Sequence, residues 1–262
     1  MSVSLAASQE QDPSRDSPYL KCVSLLGELA RSGNAGVALL VDEAQALRPE
    51  DLDFMLRTVN CIDGKPVGVI AAGLPNILDV LHNVTLSNPY VQYSDLRPLS
   101  QEDAYLTLSA PIGDCGGEYE ILALHEIVDF AEGHPLILQR IGHYAWLYAD
   151  RDTPGGEDIL LRRQHAAEAI KAVRSELANS TFKPLWARCS KEERVFLAVL
   201  ALSGDTLLPE ERLIADLVPR ISDPFSALQE LVGRGVIYDY EDLVDFALPG
   251  LRSFVRSRGS VE

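Results

Sequence analysis

The sequence predicts an α/β fold in which a parallel sheet is followed by helical segments and a small C-terminal group of helices with a β-ribbon. Three observations carry this. Residues 37–41 (Val-Ala-Leu-Leu-Val) are uninterruptedly apolar and stop at Asp42 and Glu43, and residues 67–72 repeat the pattern before Gly73. Such short continuous apolar runs are how strands buried on both faces of a helix-covered parallel sheet read. Helix-period segments lie before, between and after these runs, the alternation expected of α/β architecture.

Residues 1–17 are polar and weakly patterned and are expected to be disordered. Leu20, Val23, Leu25, Leu26 and Leu29 keep helical spacing over 18–31, stopped by Ser32, Gly33 and Asn34. The first strand, 37–41, follows. Leu52, Met55, Leu56 and Val59 mark an amphipathic helix over 49–60, a turn at Gly64 leads into the second strand, and 77–82 reads as a short helix. Residues 90–96 are expected to form a third strand. Ser100 with Asp103 is a capping signature for a helix to about Ala110. Residues 115–118 read as a loop, 121–132 and 135–149 as helices, 152–158 as a loop, and 160–178 as a long helix. A second capping box, Ser190 with Glu193, opens a strongly apolar helix to Leu202. Short helices at 210–217 and 224–232 precede Gly233 and Gly235, and residues 236–238 and 244–248 pair as a hairpin around an acidic turn. A helix over 249–258 closes this group. Three helices and a two-stranded ribbon follow the winged-helix plan, a variant of helix-turn-helix.

The chain has 262 residues and a formal net charge of −16. An acidic protein repels phosphate backbones, whose non-specific affinity comes from Lys and Arg displacing counterions, so nucleic acid is disfavoured as a partner. The four cysteines, Cys22, Cys61, Cys115 and Cys189, are widely spaced and read as free thiols of a reducing cytoplasm, Cys22 as a structural residue of its helix. No signal-peptide pattern and no run long enough to cross a bilayer is present, which points to a cytoplasmic protein without a membrane partner. His125, His134 and His143 lack zinc-ligand spacing.

Two acids just past the carboxyl end of an apolar strand form the pattern of a Walker B motif, at the strand end where open α/β sheets bind ligands. There Asp42 would orient Mg²⁺ through its water shell and Glu43 would polarise the attacking water. An Asp N-cap with Glu43 in the first helical turn is the plain structural alternative. Residues 40–45 (Leu-Val-Asp-Glu-Ala-Gln), residues 72–75 (Ala-Gly-Leu-Pro) and Gly133, His134 and Pro135 leading into 136–142 occur in an order that resembles the bacterial AAA+/STAND-type P-loop ATPases, most of all their origin-recognition-like branch. The resemblance spans about residues 18–256. It implies an ATPase core over 18–99, a helical lid over 100–180, a winged helix over 181–258 and a tail over 259–262. It also implies ATP and Mg²⁺ as cofactors, with Asp42 on the metal, Glu43 catalytic, and Gly73, Gly133, His134 and Pro135 near the nucleotide. For Gly133, His134 and Pro135 a helix-breaking turn is the alternative, and for Arg140, a second sensor by the resemblance, a surface arginine.

One departure from that family bears on everything else: the P-loop, G-x-x-x-x-G-K-[ST], occurs nowhere in the 262 residues. Its backbone cradle and lysine supply most of the hold on the β- and γ-phosphates. No arginine lies in residues 86–92, where the family places its finger; Arg97 is the local substitute. The family's sheet sets the P-loop strand between the second and third strands, so its loss leaves an incomplete sheet with an apolar strand at an open edge. The expectation is a catalytically silent regulatory or scaffold module with a protein partner or self-association. Alternatives are a working ATP switch whose P-loop lies outside this reading frame, and a winged-helix DNA-binding regulator.

Overall fold

The computed structural model describes residues 18–60, 64, 66–74, 92–94, 96–152, 159–204, 207–240 and 242–258. They fall in two compact units divided between Tyr93 and Ser94. The first contains α1 (Pro18–Ser32), β1 (Val37–Val41), α2 (Pro49–Asn60) and β2 (Val67–Ala71), with a single 3-10 turn at Ala44–Ala46. β1 and β2 pair in parallel, Val37 opposite Val67 and Val41 opposite Ala71. Arg48 clamps Asp51 through two hydrogen bonds at the start of α2. Ala44 and Leu52 are buried, and Val41, Leu47, Leu56 and Ala71 pack on them.

Both strands form as expected, but their burial does not. Burial alternates along each strand: Val37, Leu39, Val41, Val67, Val69 and Ala71 are half-buried, whereas Ala38, Leu40, Gly68 and Ile70 are exposed. Leu40 is 74% and Ile70 62% exposed, so one face of the pair is apolar and bare. A parallel sheet is normally covered on both faces; among the described residues the covering helices lie on one. A second apolar surface lies on α1, where Cys22, Leu25, Leu26 and Leu29 share one exposed stripe while Val23 and Gly27 are buried. Cys22 is therefore a surface thiol, not the structural residue expected. The third strand does not form over 92–94, which are irregular and exposed; the rest of that segment, except Leu96, lies outside the described residues, as do Pro75, the helix at 77–82 and Cys61.

The second unit comprises α3 (Gln101–Asp114), β3 (Gly117–Tyr119), α4 (Ile121–Ala131), α5 (Pro135–Asp152), β4 (Ile159–Leu161), α6 (Arg163–Leu177), α7 (Lys183–Arg188), α8 (Lys191–Leu202), β5 (Leu208–Pro209), α9 (Glu210–Leu217), α10 (Pro224–Gly233), β6 (Ile237–Tyr240), β7 (Leu243–Phe246) and α11 (Leu251–Ser257). Both caps form: Ser100 Oγ accepts from Asp103 N–H at 3.1 Å, and Ser190 and Glu193 exchange bonds of 3.2 and 2.6 Å. β3 and β4 pair in parallel where loops and the start of a helix were expected; three-residue strands are too short to show a period. β5 adds an edge to the expected hairpin, giving the order β5-β7-β6. One continuous core runs from Ala104 to Val255 and joins α3–α6 to α8–α11.

Glu210 at the start of α9 lies near the carboxylates of Asp239 on β6 and Asp242. Burial chiefly raises both Glu210 and Asp239 above the ordinary carboxylate range; Asp239 and Asp242 add to the rise at Glu210, and Asp242 to that at Asp239, which Glu210 partly offsets. A raised folded pKa means the folded state holds its proton to higher pH than the unfolded chain, so ionisation opposes folding at neutral pH and costs nothing below the unfolded value of 3.8 for aspartate. Asp239→Asn is expected to stabilise the chain at pH 7 by under about 1 kcal/mol in this half-exposed setting, and so to raise its thermal midpoint. In melts repeated along a pH series the gain should vanish at the acid end.

Candidate functional site

The described sequence motif with most chemistry lies where β1 ends. Asp42 and Glu43 are both exposed there. Glu43 sits in the left-handed region, φ 51° and ψ 42°, which costs a non-glycine residue about 1–2 kcal/mol. Its surroundings hold it there. Glu43 N–H donates to Asp42 Oδ1 at 2.9 Å, and the buried Ala44 anchors the turn through Ala44 N–H to Ala72 O at 2.9 Å. Ala72 N–H returns to Val41 O at 2.8 Å, so the ends of β1 and β2 are stitched together.

Gln45 completes the arrangement. Its side-chain amide donates to Glu43 Oε2, and its Oε1 accepts from Leu74 N–H at 3.1 Å. One side chain thus ties the acid after β1 to the loop after β2, in which Gly73 is exposed. The structure therefore brings Asp42, Glu43 and Gly73 together. Gln45 was not read as a site residue from sequence; an amide two positions past the acid, able to donate and accept at once, was the available signal.

Gly133, His134 and Pro135 lie in the other unit, at the turn between α4 and α5. Glu132 and Gly133 both take positive φ, 48° and 74°, ending α4, and Pro135 starts α5, the usual positions for a left-handed stop and an initiating proline. Gly133 is buried against the segment before α3: Leu99 N–H donates to Gly133 O at 2.9 Å, and a Cβ on Gly133 would lie 3.0 Å from Leu99 N and closer still to Leu99 O. The turn thus accounts for Gly133 and Pro135 without a ligand. His134 differs, because its Nδ1 is buried without a hydrogen-bond partner and burial lowers its pKa, keeping the ring neutral.

Arg140 is paired with Glu176, which Tyr144 also approaches, while Arg97 is exposed in an irregular stretch. His125 bonds the Tyr105 hydroxyl. His165, not singled out from sequence, is 2% exposed; its Nδ1 accepts from Arg162 N–H at 3.1 Å and its Nε2 meets Asp152 at 3.2 Å. That bond is the main reason Asp152 titrates below the usual range. Among the described residues no helix is long and apolar enough to cross a membrane.

The fold is shared with a Walker-type ATPase of Pyrococcus abyssi at a TM-score of 0.64 and 18% identity, over 92% of this chain and 69% of that one. It is also shared with the ORC2 protein of Aeropyrum pernix, solved in ADPNP and ADP complexes, at a TM-score of 0.55 and 16% identity, over 93% and 70% of the two chains. The sequence matches no family model and no curated protein.

Proposed function

We propose that this chain is the Walker B portion of an AAA+/STAND-like ATP switch, hydrolytically silent as it stands and acting through a protein partner that completes its sheet. The observation that carries the reading is the stitched β1–β2 end, with Asp42 and Glu43 presented to solvent, beside an apolar sheet face left bare at Leu40 and Ile70. A finished α/β domain covers that face. Asp42 suits a hydrated Mg²⁺, which takes few protein carboxylates and keeps several waters. The residues present do not fit the phosphates of ATP, because no G-x-x-x-x-G-K-[ST] cradle exists in the sequence. No hydrolytic step is therefore assigned to this chain. Glu43, held by Gln45, is the group that would polarise water once a phosphate-binding segment pairs with the sheet. His134 is the residue of the Gly133–Pro135 turn left open to a nucleotide contact.

Calorimetry with Mg²⁺-ATP tests this. The isolated chain is expected to show no binding tighter than about 1 mM, some −4 kcal/mol, and Glu43→Gln to change nothing. Tight binding with turnover abolished by Glu43→Gln would overturn the silent reading and favour a complete ATP switch.

We read α8–α10 with the β5-β7-β6 ribbon as a winged helix that contacts protein. Arg252 is paired with Asp245 and donates to Leu200 O, and Arg256 donates to Ala201 O and Gly204 O. These guanidiniums are committed inside the fold. In α10, Gln229 and Glu230 are exposed and neither is basic, where a DNA reader carries Lys or Arg. Fluorescence anisotropy with a labelled duplex at low salt is expected to show no binding; salt-dependent binding would revive the DNA-regulator alternative.

A further inference from the structure

The second unit contains a cavity that the proposed function does not use. It has a volume of about 290 Å³ and lies between α3 and α5, over β3, at the small end of the roughly 300–1,000 Å³ of small-molecule sites. Its walls are apolar: Leu108, Pro111 and Ile112 from α3 and Trp146 from α5. Gly142 stands in the middle of the 18-residue α5, where a glycine costs about 1 kcal/mol relative to alanine. A Cβ there would lie 3.0 Å from Leu108 Cδ2 and 3.5 Å from the Tyr119 hydroxyl. The missing side chain at Gly142 is thus what leaves room beside that hydroxyl.

Tyr119 supplies the chemistry. Its Oη is buried and makes no hydrogen bond within the protein, and a buried hydroxyl left without a partner costs about 1–3 kcal/mol. Burial also raises its pKa far above the ordinary tyrosine value, so the phenol keeps its proton and can donate it. At the rim, Gln139, His143 and Cys115 are exposed. With mainly apolar walls, an indole and the unpartnered Tyr119 hydroxyl, the site suits a small neutral ring bearing one hydrogen-bond acceptor. A carboxylate or phosphate would find no Lys or Arg among the lining residues.

We propose that this cavity is a binding site for a small, neutral aromatic compound carrying one acceptor such as a carbonyl, which takes the Tyr119 hydroxyl as its donor. Acetophenone, with a ring and a carbonyl, and ethylbenzene, without the carbonyl, are the probes. Ligand-observed NMR titration of the full chain is expected to give a Kd of order 1 mM for acetophenone, ordinary for so small a molecule. Ethylbenzene should bind about tenfold more weakly, the worth of one hydrogen bond. Tyr119→Phe keeps the ring and removes the donor, so acetophenone should lose that tenfold and ethylbenzene should be unaffected. Gly142→Leu fills the space and should abolish binding of both; if that variant does not fold, Tyr119→Phe decides alone. A neutral thiol reagent adds a location check, since acetophenone should slow labelling of Cys115 and leave Cys22 unchanged. No acetophenone binding at about ten times that Kd, or equal affinity in the wild type and Tyr119→Phe, would overturn the assignment.

Discussion

Gly133→Ala is expected to destabilise the second unit by about 2–4 kcal/mol. Two costs combine. At φ 74° an alanine incurs the left-handed penalty of about 1–2 kcal/mol. Its Cβ would also press on the Leu99 backbone and Pro98 Cβ, and a contact that must displace backbone costs a further 1–3 kcal/mol or so. Leu99 has no freedom to retreat without giving up its N–H bond to Gly133 O at 2.9 Å. The chain has two tryptophans, Trp146 and Trp186, both in this unit, so fluorescence-monitored urea unfolding reads its stability without a signal from the first unit. His134→Asn is the control. A sensor role for the turn would leave stability nearly untouched in both variants and change only the response to nucleotide. A large loss confined to Gly133→Ala would make the glycine a packing residue and leave His134 as the turn's open functional question.

How much of this was legible in the sequence depends on the length over which each signal repeats. β1, α2, β2 and the capped helices at Ser100 and Ser190 were legible, because an apolar run or a cap is written in consecutive residues. The pairing of β3 with β4 was not, since three residues carry no period and the partner lies some forty positions away. The continuous apolar runs at 37–41 and 67–71 implied burial on two faces. Such a run records what a strand was suited to bury, not whether a layer is there, and so the exposure of Leu40 and Ile70 could not be read from it. The same limit applies at the site. Asp42 and Glu43 announced themselves as adjacent acids after a strand, whereas Gln45 gains its role only from Leu74 N–H, which the parallel register brings to it. Tyr119 was silent for the same reason: an orphaned hydroxyl is a property of surroundings.

Phe182→Ala should have the largest effect, about 3–5 kcal/mol, the usual cost of emptying a phenylalanine site that cannot collapse. Phe182 is 1% exposed at the end of the wide turn Ala178–Phe182, which carries the chain from α6 into α7. Its ring lies 5.5 Å from that of Phe254 on α11. Gly250, at φ 81°, is close to both Phe182 and Phe130 of α4, so helices from the two ends of the unit meet at this point. Arg174 of α6 also lies over Phe130, its guanidinium carbon 5.0 Å from the ring centre. The sequence suggested a boundary near residue 180. If the segments on either side were independent, removing a side chain at their junction would loosen one and spare the other. The continuous core argues for a common transition instead. Two variants keep one reporter each, Trp186→Phe retaining Trp146 on α5 and Trp146→Phe retaining Trp186 on α7. In both backgrounds Phe182→Ala should shift the urea midpoint by the same amount. Two separate midpoints, or a shift seen by Trp186 alone, would restore the boundary and make the α8–α11 segment a domain in its own right. A common shift would mean that α3–α6 and α8–α11 unfold as one unit, so that a contact stabilising α8–α11 also stabilises α3–α6.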